Sequence, residues 1–108
     1  MTGADIPINC RIGGGLLLPH PNGIVIHPDA VIHLAGLTHG SPEDLLATNV
    51  TGTNNLLEAG IAANPACRIL VVSSSAVYGY AGKDPIAESA PLKPLSDYGR
   101  SKVAQEEL

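Results

Sequence analysis

Two short segments of this chain carry the residue types that acid–base chemistry needs. Ser73-Ser74-Ser75-Ala76-Val77-Tyr78-Gly79 follows the apolar run Arg68-Ile69-Leu70-Val71-Val72, and Tyr98-Gly99-Arg100-Ser101-Lys102 comes after it. The apolar run reads as a buried strand, so the serines leave from its carboxyl end, the edge at which ligands bind in open α/β sheets. The second segment opens a helix, where Tyr98 and Lys102 share one face with Cβ atoms roughly 5–6 Å apart. A hydroxyl, a phenol and an ammonium brought together suit proton transfer coupled to redox chemistry at a carbon bearing oxygen. The lysine charge favours phenolate, pulling the tyrosine below its free pKa of about 10, and a serine can hydrogen-bond the reacting oxygen. Tyr-x-x-x-Lys alone occurs by chance on many helices. Its order after a serine-bearing strand makes the pattern specific.

The elements that must position these groups are legible from Ala30 onward. Ala30 to Ala35 reads as a buried strand and Gly36 to Gly40 as a loop. Ser41-Pro42-Glu43-Asp44 starts a helix with a capping hydroxyl, Pro in the first turn and acids at the positive dipole end. Apolar residues at 45, 46, 50, 56, 57 and 61 keep a 3.6-residue period to about Ala63, and Asn64-Pro65 stops it. Ile69 to Val72 is continuous apolar sequence, as in a strand buried on both faces. A long loop from Gly79 to Leu95 holds Pro85, Pro91 and Pro94, and Ser96 caps the helix of Tyr98 and Lys102. Strand, helix, strand, loop and helix in this order imply an α/β fold with one right-handed crossover of a parallel sheet.

Residues 1–27 follow no such pattern. Gly13-Gly14-Gly15 invites comparison with a phosphate-cradling loop, but that loop opens a helix, and Pro19 and Pro21 interrupt the place where the helix belongs. An irregular N-terminal arm is the better reading, with a short strand possible only at Ile24-Val25-Ile26.

Composition narrows the classes. The chain has 108 residues, enough for one small domain, and with no Trp, no Phe and only 3 Tyr its core is aliphatic. A net charge of −4 with scattered Lys and Arg argues against a nucleic-acid surface. The longest apolar run falls far short of the roughly 20 residues that span a bilayer, and the N-terminus lacks a secretory pattern. Cys10 and Cys67 are far apart and read as free thiols, which fits a cytoplasmic protein. His20, His27, His33 and His39 lack zinc-ligand spacing, so no metal is expected, and His33 reads as a hydrogen-bonded structural histidine.

The serine and Tyr/Lys segments, with Asp29-Ala30-Val31-Ile32-His33-Leu34-Ala35-Gly36 and Thr48-Asn49-Val50-Thr51-Gly52-Thr53, resemble the NAD-dependent epimerase/dehydratase family, the extended short-chain dehydrogenases/reductases. The resemblance covers about Pro28 to Leu108. It implies that residues 28–108 are the central part of an NAD(P)-binding, Rossmann-like doubly wound parallel sheet, in the order β-α-β-loop-α. It also implies NAD or NADP as cofactor and a nucleotide sugar as substrate. By position in the family motif, Ser74 is the catalytic hydroxyl with Ser75 as the runner-up, both touching substrate. Tyr98 is the general acid/base, in contact with substrate and cofactor, and Lys102 binds the nicotinamide ribose. Leu34, Ala35, Gly36 and Thr48 match cofactor-contacting positions, and Asn49 matches an asparagine that ties its helix to the neighbouring strand.

Family dehydratases carry Asp-Glu after the catalytic hydroxyl residue, where this chain has Ser75 and Ala76, so epimerase or reductase chemistry is expected. Residues 91–106 are similar to reductases of GDP-4-keto-6-deoxyhexoses, while Ser-Ser-Ala-Val-Tyr-Gly fits 4-epimerases equally. The family places two βα units before this segment and a substrate region after it. The chain is therefore expected to be a fragment lacking the glycine-rich dinucleotide loop, either working within a larger enzyme or, alternatively, an inactive truncated product or helix-mediated interaction module. Family members dimerise through helices matching residues 42–63 and 96–108, which predicts a homodimer.

Overall fold

The computed structural model describes Ala4, Asp5 and residues 24–27, 29–80 and 82–108. Their strands form one sheet in the order β1 (Ala4–Asp5), β2 (Ile24–His27), β3 (Ala30–His33), β4 (Arg68–Val71). β3 and β4 run parallel, from Ala30 opposite Arg68 to His33 opposite Val71. Between them the chain is helical: α1 (Pro42–Leu46), a π-helical turn (Ala47–Thr51) and α2 (Gly52–Ala63). A helical crossover between adjacent parallel strands matches the expected α/β arrangement.

The sheet is nonetheless mixed. β2 pairs antiparallel with β3, Ile24 opposite His33 and His27 opposite Ala30, and β1 lies parallel to β2. Two sequence positions separate His27 from Ala30, too short a connection for anything but a chain reversal, since a parallel return takes a dozen or more residues. Ile24-Val25-Ile26, read from sequence as a possible short strand within the N-terminal arm, lies in β2, Ile24–His27. Gly13-Gly14-Gly15, Pro19, Pro21, His20 and Cys10 lie outside the described residues.

The helix starts are set by local chemistry. Ser41 Oγ accepts from Asp44 N at 3.1 Å and donates to Asp44 Oδ2 at 2.9 Å, closing the first turn of α1 with Pro42 behind it. In α3 (Asp97–Glu106), Ser96 Oγ accepts from Gly99 N at 3.0 Å. The π turn serves packing. Leu45, Asn49 and Thr53 are all buried and stand four apart, a spacing that on a straight α-helix drifts about 40° per step. Widening the turn at Ala47–Thr51 keeps them on one inward stripe.

Val31, Ala35, Leu45, Leu56 and Val77 form the buried apolar core. α3 packs against α1 and the π turn, so the helices gather on the sheet face that carries Val31 and His33. Among the described residues no element packs on the other face. β4 was expected to be buried on both sides, yet Leu70 is 58% exposed, and Ile32, opposite it in the register, is 39% exposed. β3 also stops at His33 rather than at Ala35.

After β4 a 3-10 turn (Ser75–Tyr78) ends at Gly79, whose φ is +69°. A Cβ at Gly79 would lie 2.1 Å from the Lys93 carbonyl oxygen, and Lys93 N donates to Val77 O at 3.0 Å. Gly82 also has positive φ, +78°, but a Cβ there meets nothing within 4 Å. Gly82→Ala is expected to cost about 1–2 kcal/mol, the left-handed penalty alone, and Gly79→Ala clearly more, because backbone must move. Urea unfolding of both variants checks this, and equal losses would show that the Lys93 contact is unimportant.

Candidate active site

The site gathers at the carboxyl ends of β3 and β4. Lys102, 4% exposed, reaches from α3 to donate through Nζ to Val72 O at 2.8 Å, just beyond the end of β4. Two residues on, Ser74 caps the 3-10 turn, its Oγ accepting from Ala76 N at 3.2 Å and so keeping its proton to donate elsewhere. Gly99 brings α3 against this turn, since a Cβ there would sit 2.7 Å from Ala76 O. Tyr98, half-buried in the first turn of α3, precedes Lys102 by four residues and shares its side of the helix. The elements bearing Ser74, Tyr98 and Lys102 are therefore held together. Ser75 is exposed at the start of the 3-10 turn, and Ser73 donates to the Glu106 carboxylate.

Leu34, Ala35 and Gly36 follow β3 on the same edge, with Leu34 and Gly36 exposed and Ala35 buried. Their course is set by Asn49, which is fully buried on the π turn. Its Oδ1 accepts from Leu37 N at 2.8 Å and its Nδ2 donates to Leu37 O at 2.9 Å. This side chain thus satisfies both backbone groups of Leu37, as a neighbouring strand would. A Cβ at Gly36 would approach Asn49 Oδ1 to 2.9 Å, so the glycine admits the amide as well as opening the strand end. Thr48, half-buried, stands next to Asn49 on the same turn.

Three residues that sequence reasoning passed over complete the arrangement. Asn49 Nδ2 also donates to Ser101 Oγ at 2.9 Å, and Ser101 Oγ donates to Tyr98 O at 2.8 Å. Gln105 Nε2 donates to Thr53 Oγ1 at 2.6 Å, while Thr53 Oγ1 donates to Asn49 O at 2.7 Å and meets His33 Nε2 at 2.8 Å. The available signal was the position of Ser101 and Gln105 at i, i+4 on one stripe of α3, a polar stripe that looks solvent-facing until the fold is known. Among the described residues no cluster of His, Cys, Asp or Glu could hold a metal ion, and no helix is long and apolar enough to cross a membrane.

Comparison with known proteins bears on this site. Residues 24–108 match the family model described as GDP-mannose 4,6 dehydratase. The chain is 38% identical over 96 residues to a dTDP-glucose 4,6-dehydratase of Neisseria meningitidis serogroup B, covering 75% of this chain and 27% of that protein. It is 41% identical over 86 residues to the bifunctional UDP-glucose 4-epimerase and UDP-xylose 4-epimerase 3 of Arabidopsis thaliana, covering 74% and 24% respectively. Among solved structures, RMD from Pseudomonas aeruginosa complexed with NADPH superposes with a TM-score of 0.72 at 37% identity, over 94% of this chain and 37% of that one. The chain thus spans about a quarter of the length of the curated relatives it matches.

Burial also sets the charges. Burial pushes the Lys102 ammonium below its ordinary value, and the nearby Glu106 carboxylate partly restores it. Burial first and the Lys102 charge second hold His33 below its ordinary 6.5. A histidine that resists protonation when folded leaves the unfolded chain binding more protons between the lowered value and 6.5. Stability is therefore expected to rise with pH through that window and to fall on acidification below 6.5. Urea unfolding between pH 5 and 7 measures the slope, and His33→Gln should flatten it. A slope unchanged in that variant would assign the effect to other groups.

Proposed function

This chain belongs to the NAD-dependent epimerase/dehydratase family of extended short-chain dehydrogenases/reductases, and on that premise we propose that it carries the nicotinamide-side half of a nucleotide-sugar epimerase or reductase site. The observation behind this reading is the reach of Lys102 Nζ to Val72 O, which brings an ammonium beside the Ser74 turn at the end of β4. The donor set fits a nicotinamide dinucleotide. Lys102 keeps two ammonium protons for ribose hydroxyls after bonding Val72 O, and Leu34 to Gly36 offer a strand end beside it. When bound, that cofactor supplies the hydride acceptor or donor.

The chain's own residues handle the proton. Tyr98 takes the proton of a sugar hydroxyl when its carbon is oxidised and returns one when the carbonyl is reduced. Ser74, with its own proton uncommitted, hydrogen-bonds the same sugar oxygen. Such general acid–base transfer contributes about 10²–10⁴-fold. Elimination of water needs a further acid and base, and Ser75 and Ala76 supply neither, so epimerisation or reduction is favoured although relatives include dehydratases. A cytoplasmic reaction suits a chain of this composition.

The test is binding and turnover. NADH or NADPH titrated into the chain is expected to shift the NMR signals of Lys102 and Tyr98 with affinity weaker than micromolar, and Lys102→Met should remove the response. With a UDP-, dTDP- or GDP-linked hexose present, Tyr98→Phe should lower turnover about 10²–10⁴-fold. A response indifferent to Lys102→Met, or turnover indifferent to Tyr98→Phe, overturns the reading.

A second reading, association through helices rather than catalysis, rests on apolar exposure. Leu46 and Ile61 on the first helical stretch and Leu108 after α3 are 48%, 56% and 50% exposed. Apolar side chains so placed fit the homodimer through residues 42–63 and 96–108 that the family resemblance implies. Light scattering is expected to give a dimer, which Leu46→Glu with Ile61→Lys should dissociate. A monomer at about 50 μM, where even weak interfaces are occupied, rejects it.

A further inference from the structure

The helix that bears Tyr98 and Lys102 is joined to its neighbour by two hydrogen-bonded rungs. Asn49 Nδ2 meets Ser101 Oγ at 2.9 Å, and Gln105 Nε2 meets Thr53 Oγ1 at 2.6 Å. Each pair spans the same two stretches of chain, four residues apart on both sides, so the rungs lie about 6 Å apart along the helix. One rung leaves α3 free to pivot. Two fix its rotation and its height. Lys102 lies between them, one residue after Ser101 and three before Gln105.

We propose that Gln105 is a positioning residue, the second rung that holds Lys102 at Val72 O and Tyr98 beside the Ser74 turn. The inference rests on the reading of Tyr98 and Lys102 as the working pair. The rung accepts only a donor at position 105. Thr53 Oγ1 has one proton, which goes to Asn49 O at 2.7 Å, so its remaining partners must donate. Gln105 therefore presents its NH2, and His33 presents Nε2–H, which makes His33 the neutral Nε2–H tautomer. Their other polar atoms, Gln105 Oε1 and His33 Nδ1, are buried and unpartnered among the described residues. A residue that accepts one unmet acceptor in order to make a 2.6 Å bond is specifying a position rather than filling space.

The experiment reads Lys102 itself in the full 108-residue chain, by side-chain NMR against pH, with exposed Lys83 and Lys93 as internal references. Gln105→Met keeps the volume and removes the donor, and Thr53→Val keeps the shape and removes the acceptor. In both variants the Lys102 midpoint is expected to rise, as the burial that lowers it is relieved. Gln105→Glu should behave likewise while its carboxylate is ionised and regain the native Lys102 signal once protonated, when it can donate. The titratable groups around this position are Lys102 and Glu106 on α3 and the neutral His33 on β3, so the same titration is run in His33→Gln as control. A Lys102 midpoint unchanged in the variants, with only a lowered melting temperature, overturns the proposal. If the substitutions prevent folding, proton exchange at the Gln105 amide of the native chain decides. Exchange as fast as at Asn54, which bonds Glu58 on the surface, overturns the rung, and protection upholds it. Lys102 moving in the variants without any response to NADH or NADPH would uphold the rung and reject the cofactor reading, so the two fail separately.

Discussion

The placement of α3 depends on hydrogen bonds, because the residues it buries are Gly99, Ser101, Lys102 and Gln105. None of them brings an apolar side chain to the core. Apolar packing tolerates shifts, whereas these bonds hold only within the narrow range of about 2.7–3.2 Å. Their partners are fixed in turn: Val72 O by the end of β4, Thr53 and Asn49 by the widened helical turn, Ala76 O by the 3-10 turn against Gly99. The elements that carry the ammonium, the phenol and the serine hydroxyl thus inherit their relation from these polar contacts.

This arrangement sacrifices some stability. Two buried acceptors, His33 Nδ1 and Gln105 Oε1, lack partners among the described residues, and each such group costs about 1–3 kcal/mol. Lys102 is desolvated as well. Among the described residues, Leu45 and Leu56 are the largest members of the apolar core that offsets these terms. Buried polar networks of this kind serve to select one geometry, and here the geometry selected is that of the candidate site.

Much of this was legible in the sequence. Ser41 and Ser96 act as caps because a hydroxyl before a helix start is a local signal. α2 was readable from periodicity, β3 and β4 as short apolar runs, and the Tyr98/Lys102 pair from spacing. Other features depend on tertiary context and left no local mark. β3 ends at His33 and Asn49 takes both backbone groups of Leu37 from twelve residues away, whereas Leu34 and Ala35 read as strand in the sequence. Leu70 and Val72 read as doubly buried because hydrophobicity does not say which face a neighbour covers. Ser101 and Gln105 are ordinary polar helix residues until Asn49 and Thr53 arrive opposite them. Ile24–His27 lacked a visible partner until β3 supplied one.

The sheet face that carries Ile32 and Leu70 and the candidate site are mechanically separate. Every anchor of α3 belongs to the covered side: His33 alternates with exposed Ile32 along β3, and Asn49, Thr53, Ser101 and Gln105 lie within the helical layer. Lys102 bonds a backbone oxygen, which a sheet presents in its own plane whichever face is covered. Burying Ile32 and Leu70 would add apolar stabilisation of about 25 cal/mol per Å² without moving any of these partners. What covers that face therefore sets how firmly the chain folds. The relation of Tyr98 and Lys102 to the Ser74 turn is set by the polar contacts of the opposite face.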